Sequence, residues 1–322
     1  VSVTDLTLSL VIPTYNRAEL IAATLDSALN QRLPFAEIIV VDDGSTDHTH
    51  QVLARYADRV RIIQLANGGV QQARNTGVAA ARSPYIVLCD SDDLLEPEFV
   101  STMAPWLAGH PDIDVVYSNF VTFNEGTVYP DKFALAPTGF FDGAQKSGAF
   151  LHDIPDLYVR TVGYQPLFVS GCVIRKSVYE GMGGYDKRFN GIGGEDWEFT
   201  LRLLGERRVA VCSTPLIRVR KHAGNESASN IHSVSGCVRV LEHALAEHPY
   251  AQPYRDAILD SIDTRRLDVF HNAFAAGAFD LANDMLRHLR RRPQDRKFQL
   301  KALIASLPGL LRKPLWQLTQ RG

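Results

Sequence analysis

The chain has 322 residues, 45% hydrophobic and 22% charged, ordinary for a globular protein and unlike a disordered or fibrous one. The length suits one large α/β domain with an extension, or two domains. Formal net charge is −2 and names no charged partner, but Arg287–Gly322 alone carries ten Lys/Arg against one acid, Asp295, a balance of +9 that leaves −11 for the rest.

In chain order, "LTLSLVIP" (6–13) reads as a strand, with Leu8, Leu10 and Ile12 on one face and Pro13 as its stop. "NRAELIAATLDSALNQ" reads as a helix capped by Asn16, with Glu19 completing a capping box and Ile21, Leu25, Ala28 and Leu29 as its apolar stripe. "EIIVVDDGS" (37–45) is a buried strand ending in acids and a Gly turn, and "VRIIQL" (60–65) a third short strand. "GVQQARNTGVAAARS" is a helix whose small residues Ala73, Gly77 and Ala80 permit close packing on a sheet. "PYIVLCD" is the next strand, "PEFVSTMAPWLAGHP" the next helix and "DVVYSNF" another strand. Residues 121–170 are irregular and rich in Gly, Pro, Phe and Tyr. "GGEDWEFTLRLLG" (193–205) is a short helix, "RRVAVCSTPLIRVRKHAGN" is strand-like through His222, and a helical pattern runs from about Val238.

Alternating strands and helices over the first 120 residues, with continuously apolar strands, predict a parallel sheet covered on both faces. Acids collect where strands end, at Asp42–Asp43 and Asp90–Asp92, and ligands of open α/β sheets bind at that edge.

Asp43 is a candidate acceptor of hydrogen bonds from a base or ribose; its bland reading is an ordinary β-to-α turn. "DSDD" is more specific, because carboxylates of Asp90 and Asp92, two apart in a turn, suit magnesium or manganese together with substrate phosphates. The competing reading there is a solvated turn with Asp93 capping the helix near Pro97. Glu195 and Asp196 alone are good helix-start chemistry, and His222 alone is an ordinary structural histidine. No G-x-G-x-x-G follows the first strand, no P-loop occurs and no G-x-S-x-G elbow is present. Nucleic-acid binding is not expected, since the half with site-like residues is acidic.

Cys89, Cys172, Cys212 and Cys237 form no C-x-x-C pair, which argues against a zinc ribbon or disulfide framework and suits a reducing compartment. Neither a long apolar run nor a signal-peptide pattern is read, so a cytoplasmic location is expected. The basic tail, with Leu307, Leu310, Leu311, Leu315 and Trp316, suggests peripheral contact at the inner face of a membrane; the alternative is that these side chains pack inward.

Taken together, "VIPTYNRAELIAATLDSALNQ", "EIIVVDDGSTDHT", "NGGVQQARNTGVAAARSPYIVLCDSDD" and "GGEDWEFTLRLL" resemble the signature blocks of glycosyltransferase family 2, inverting enzymes of the GT-A fold, in order and over about residues 7–222. The resemblance implies a mostly parallel Rossmann-like sheet flanked by helices. It implies a catalytic domain over 1–235, with a nucleotide-sugar half (1–120) and an acceptor half (121–235), followed by a helical extension over 236–322. It also implies a nucleoside-diphosphate sugar donor, UDP being commonest, a saccharide or lipid-linked acceptor, and Mn2+ or Mg2+. By position, Pro13, Thr14, Tyr15 and Asp43 lie by the base, Arg74 on the nucleotide side, and Asp90 near the ribose. Asp92 ligates the metal with His222 nearby, Asp196 is the general base, and Glu195 places the acceptor. The rivals are a sugar nucleotidyltransferase and a non-catalytic sugar-nucleotide-binding module. The first wants a Gly-rich basic loop where "PTYNRAEL" stands, and the second has no use for both acid pairs.

Overall fold

The computed structural model describes residues 6–124, 126–222 and 230–319. Two compact units emerge, one of residues 1–191 with 195–223 and one of residues 192–194 with 224–322.

The first unit begins with β1 (Leu8–Thr14), α1 (Ile21–Leu29), β2 (Glu37–Asp42), α2 (Thr49–Ala54), β3 (Arg61–Gln64), α3 (Val70–Ala80) and β4 (Tyr85–Leu88), as expected but for the short α2. It continues through β5 (Leu94–Leu95), α4 (Phe99–Gly109), β6 (Val115–Asn124), β7 (Thr127–Asp131), β8 (Gln145–Ser147) and β9 (Phe150–His152). Then follow α5 (Leu157–Gly163), β10 (Cys172–Arg175), α6 (Lys176–Gly181), α7 (Glu195–Glu206) and β11 (Val209–Arg220). The sheet runs in the order β3-β2-β1-β4-β10-β6-β11-β9-β8, with β5 on β11 and β7 on β6.

Strands β3, β2, β1 and β4 are mutually parallel, and β10 enters antiparallel between β4 and β6. The sheet is therefore mostly parallel, and β1 and β4 lie side by side where residues 13–17 and 90–93 leave it. Every residue of β1 and β4 is buried, which explains their unbroken apolar character: layers of side chains cover both faces. On one face α3 comes close enough that a Cβ at Gly77 would lie 2.4 Å from Val11 Cγ1, so the small-residue stripe does permit tight packing.

The expected capping box does not form. Helix α1 starts at Ile21 behind Leu20, with no side-chain cap. Asn16 takes a positive φ of 51° instead, and its Oδ1 accepts the amides of Thr46 (2.8 Å) and Asp47 (3.3 Å). Those amides belong to the turn after β2, so a cap residue has been spent on joining two loops of the sheet edge.

The second unit is helical: α8 (Asn230–Glu247), α9 (Arg255–Ala275), α10 (Phe279–His288), α11 (Arg296–Ser306) and α12 (Gly309–Thr319). Helix α8 starts before Val238, because Ser233, Ser235 and Gly236 hide its apolar period in the sequence. Phe270, Phe274, Phe279, Phe298 and Ile304 form its core, and Gly277, at φ 73°, turns α9 into α10.

Candidate active site

Three loops at the carboxyl ends of β1, β2 and β3 are laced together by their own polar groups. The amide of Asn16 donates to Ser45 Oγ at 2.9 Å, and that of Arg17 to Thr49 Oγ1 at 2.8 Å. Asp42 accepts the Ser45 amide at 2.9 Å. Asp43 is buried, and its two oxygens accept the amides of Gly68 (3.0 Å) and Gly69 (2.8 Å). Its observed work is thus to shape the "NGG" loop, and a ligand would use its remaining lone pairs. Beside it, Pro13 and Thr14 end β1; the Thr14 hydroxyl is buried with no hydrogen-bond partner among the described residues, and Tyr15 is 43% exposed.

Arg74, on α3, lies at the centre. Its side chain is 3% exposed, and its guanidinium donates to Asp90 Oδ1 and to Asp196 Oδ1, each at 2.7 Å, with Glu195 at 3.8 Å. Burial alone would lower its pKa, but Asp196 and Asp90 hold it well above the ordinary value. Tyr185 lies under the guanidinium at 4.8 Å and donates its hydroxyl to Asp196 Oδ1 at 2.9 Å. Burial, then Asp196, push the Tyr185 phenol up, so it stays a donor. Tyr185 is held in turn. Its ring stacks on Phe199 at 4.4 Å, and Asn75 exchanges hydrogen bonds with its backbone at 2.9 and 3.0 Å. Arg202, paired to Glu198 at 2.6 and 2.9 Å, donates to the carbonyl of Gly184.

The three acids of "DSDD" take three roles. Asp90 faces Arg74; burial pushes its carboxyl up while Arg74 pulls it down. Asp93 is not a helix cap. It is buried, accepts the Ser170 hydroxyl at 2.6 Å and the Arg220 amide at 3.0 Å, and its pKa is driven well up by burial, then by Asp90 and Asp92. Ser170 Oγ also accepts the Asp90 amide at 3.0 Å, so one serine ties the two ends of the turn. Asp92 is left with Oδ2 3.0 Å from His222 Nε2 and 3.6 Å from Arg17 Nε.

Asp92 and His222 are the residues of this site whose chemistry, one carboxylate and one imidazole, could contribute ligands to a divalent cation; their 3.0 Å separation is that of an ordinary hydrogen bond. Every residue expected at the site lies in the first unit, and Asp90, Arg74, Glu195 and Asp196 meet directly. Sequence reading missed Arg17, Ser170 and Tyr185. Arg17 stands in the "PTYNR" block and was visible there, whereas the other two carry no local signal.

The family model "Glycosyl transferase family 2" matches residues 9–156. Residues 9–156 belong to glycosyl transferase family 2. The chain is 34% identical over 122 residues to the glycosyltransferase GlyG of Streptococcus pneumoniae, an alignment spanning 37% of this chain and 40% of that protein. It is 28% identical over 290 residues to the validoxylamine A glucosyltransferase of Streptomyces hygroscopicus, spanning 81% of this chain and 67% of that one. A chondroitin synthase of Pasteurella multocida is 45% identical over 95 residues, which cover 29% of this chain and only 10% of the synthase. Among solved structures, S. aureus TarS 1–349 in complex with UDP-GlcNAc superimposes with a TM-score of 0.65 at 18% identity, over 98% of this chain and 92% of that one. That likeness shows the fold as GT-A, a mostly parallel sheet flanked by helices with helices following it.

Proposed function

We propose that the chain is an inverting glycosyltransferase that moves a sugar from a nucleoside-diphosphate sugar to a hydroxyl of a saccharide or lipid-linked acceptor. The observation that carries this reading is the Arg74 bridge. One buried guanidinium joins Asp90, just after strand β4, to Asp196, at the start of α7, which supports reading the two acids as parts of one site.

On the donor side, the exposed Tyr15 ring offers a face to a flat base, Thr14 has an unused hydroxyl, and Pro13 and Asp43 set the loops that flank it. Asp90 lies by the ribose and Arg74 fixes its carboxylate. Asp92 and His222 would hold Mn2+ or Mg2+, which neutralises charge on the diphosphate when bound. Arg17, beside Asp92, adds a fixed positive charge on the same side.

On the acceptor side, Asp196 Oδ1 is held by Arg74 and Tyr185. Its second oxygen takes the proton of the acceptor hydroxyl. The hydroxyl oxygen bonds the anomeric carbon from the face opposite the diphosphate, the bond from that carbon to the diphosphate oxygen breaks, and the electron pair leaves with the nucleotide. Glu195 places the acceptor, and loops and short strands within 121–170 would build its wall.

UDP is the favoured nucleotide, because the fold neighbour TarS was solved with UDP-GlcNAc and with UDP. Relatives named as chondroitin and hyaluronan synthases support a role in polysaccharide or glycoconjugate biosynthesis. The test is a panel of UDP-, TDP- and GDP-sugars with Mn2+, read by thermal shift and by nucleotide release. A UDP-sugar at a hundredfold excess over its Kd should stabilise the protein by about 2.7 kcal/mol. Stabilisation without nucleotide release under any acceptor would favour a binding module, and neither response to any donor would overturn the reading.

A further inference from the structure

Helix α12 is built inside out. Its inner face carries Arg312 and Trp316: the guanidinium lies over the Phe279 ring at 4.4 Å, and the indole donates to the Phe274 carbonyl at 2.7 Å. Its outer face carries leucines, with Leu310 92%, Leu311 59%, Leu315 41% and Leu318 64% exposed. Residues 311, 315 and 318 fall within one narrow arc of a helix. A helix that faces water on that side would place its charge there and its leucines inward.

Leu300 and Leu303 on α11 are also more than half exposed, so over half of the large exposed apolar side chains among the described residues lie in 300–318. Exposed Arg296 and Lys297 precede them in sequence and exposed Lys313 lies among them, all within the segment whose balance is +9. No described helix is long and apolar enough to cross a membrane.

We propose that the α11–α12 face of the second unit docks in the plane of an anionic lipid surface, with the leucines in the acyl boundary and the cations at the headgroups. The charge selects this occupant over a second copy of the chain, because self-pairing would bring two segments of balance +9 together. The inference stands apart from the transfer reaction, and its test reads no activity.

The experiment is flotation of the full chain with vesicles of phosphatidylcholine alone or mixed with phosphatidylglycerol. The wild type should float with the mixed vesicles and be released by high salt. The triple variant Leu311→Ser/Leu315→Ser/Leu318→Ser should lose at least about tenfold in partitioning, with the melting point lowered only slightly, since these side chains are 41–64% exposed. Lys313→Gln should lose about fivefold on the anionic vesicles and nothing on the neutral ones. It carries the test if the triple variant folds poorly. Failure of the wild type to float, or flotation indifferent to both variants, would overturn the proposal. So would a leucine-dependent dimer by sedimentation in the absence of flotation, which assigns the face to a second copy.

Discussion

Arg74 is 2% exposed and its guanidinium serves two carboxylates at 2.7 Å, whose side chains are 25% and 24% exposed, so the cation is buried against two partly covered acids. Breaking such a group by removing one partner leaves uncompensated charge, at a cost of about 3–5 kcal/mol. Arg74→Met should therefore lower the stability of the protein by that amount in urea unfolding, and adding Asp90→Asn to it should restore part of the loss. Equal stability of Arg74→Met and wild type would mean that the bridge is incidental. Tyr185 is a positioning residue for Asp196: Tyr185→Phe keeps the stack on Phe199 and removes one hydrogen bond to a charged group. Such bonds contribute about 1.5–3 kcal/mol, so turnover should fall at least about tenfold while donor affinity stays put. A fall in donor affinity instead would place Tyr185 on the other side of the site. For Asp92→Asn, calorimetry should show nucleotide binding that no longer responds to EDTA, whereas the wild type should weaken on chelation. Arg74 and Asp196 stand 122 positions apart, so nothing local in the sequence announces their contact. The individual acids were legible as candidates because each ends a strand or starts a helix, but Asp93 shows the limit. Its carboxylate is of the same type as its neighbours, and only the fold turns it toward Ser170 and the Arg220 amide.

The elements that carry the site were readable where their pattern is strong. β1, β2 and β4 are continuously apolar because both faces are covered, and α3 shows its packing face as small residues. Gly77→Ala tests that contact. A Cβ there would lie 2.4 Å from Val11 Cγ1 and 3.0 Å from Val41 Cγ2, and overpacking of this kind costs about 1–3 kcal/mol. The melting point should fall by several degrees, and a rise would show that the sheet and helix have room to part. The antiparallel entry of β10 was not readable, since strand order depends on which edges meet and not on the strand's own residues. Helix α9 contributes a pH-dependent term to the second unit. His271 is depressed below 6.5, first by burial and then by Lys301, while Asp268 and Asp295 pull the other way. The neutral ring is the folded form, so its contribution is present above pH 6.5 and is lost as pH falls through the depressed value. Melting curves between pH 7.5 and 5 should show wild type losing more stability on acidification than His271→Gln. Parallel curves would remove the histidine from the account.

At the scale of the molecule, the chain joins a GT-A unit to a helical one. The alignment to GlyG spans 40% of that protein, and the family match ends at residue 156. Asp196 lies beyond that match, so its assignment rests on where the fold brings it: against Arg74, which lies within the match and also holds Asp90. The sequence offered the same residue as one of two adjacent acids with equal chemistry. The two differ in their distance to Arg74, which Asp196 bonds at 2.7 Å while Glu195 stays at 3.8 Å. The most direct test of the proposed reaction is therefore steady-state kinetics of Asp196→Asn with a UDP-sugar and an acceptor, beside its donor affinity by calorimetry. A positioned carboxylate base contributes roughly 100- to 10,000-fold, so turnover should fall by that range while the Kd for donor remains within about twofold of wild type. Near-wild-type turnover in Asp196→Asn would contradict the account and move the base to another group, with Glu195 the first to test.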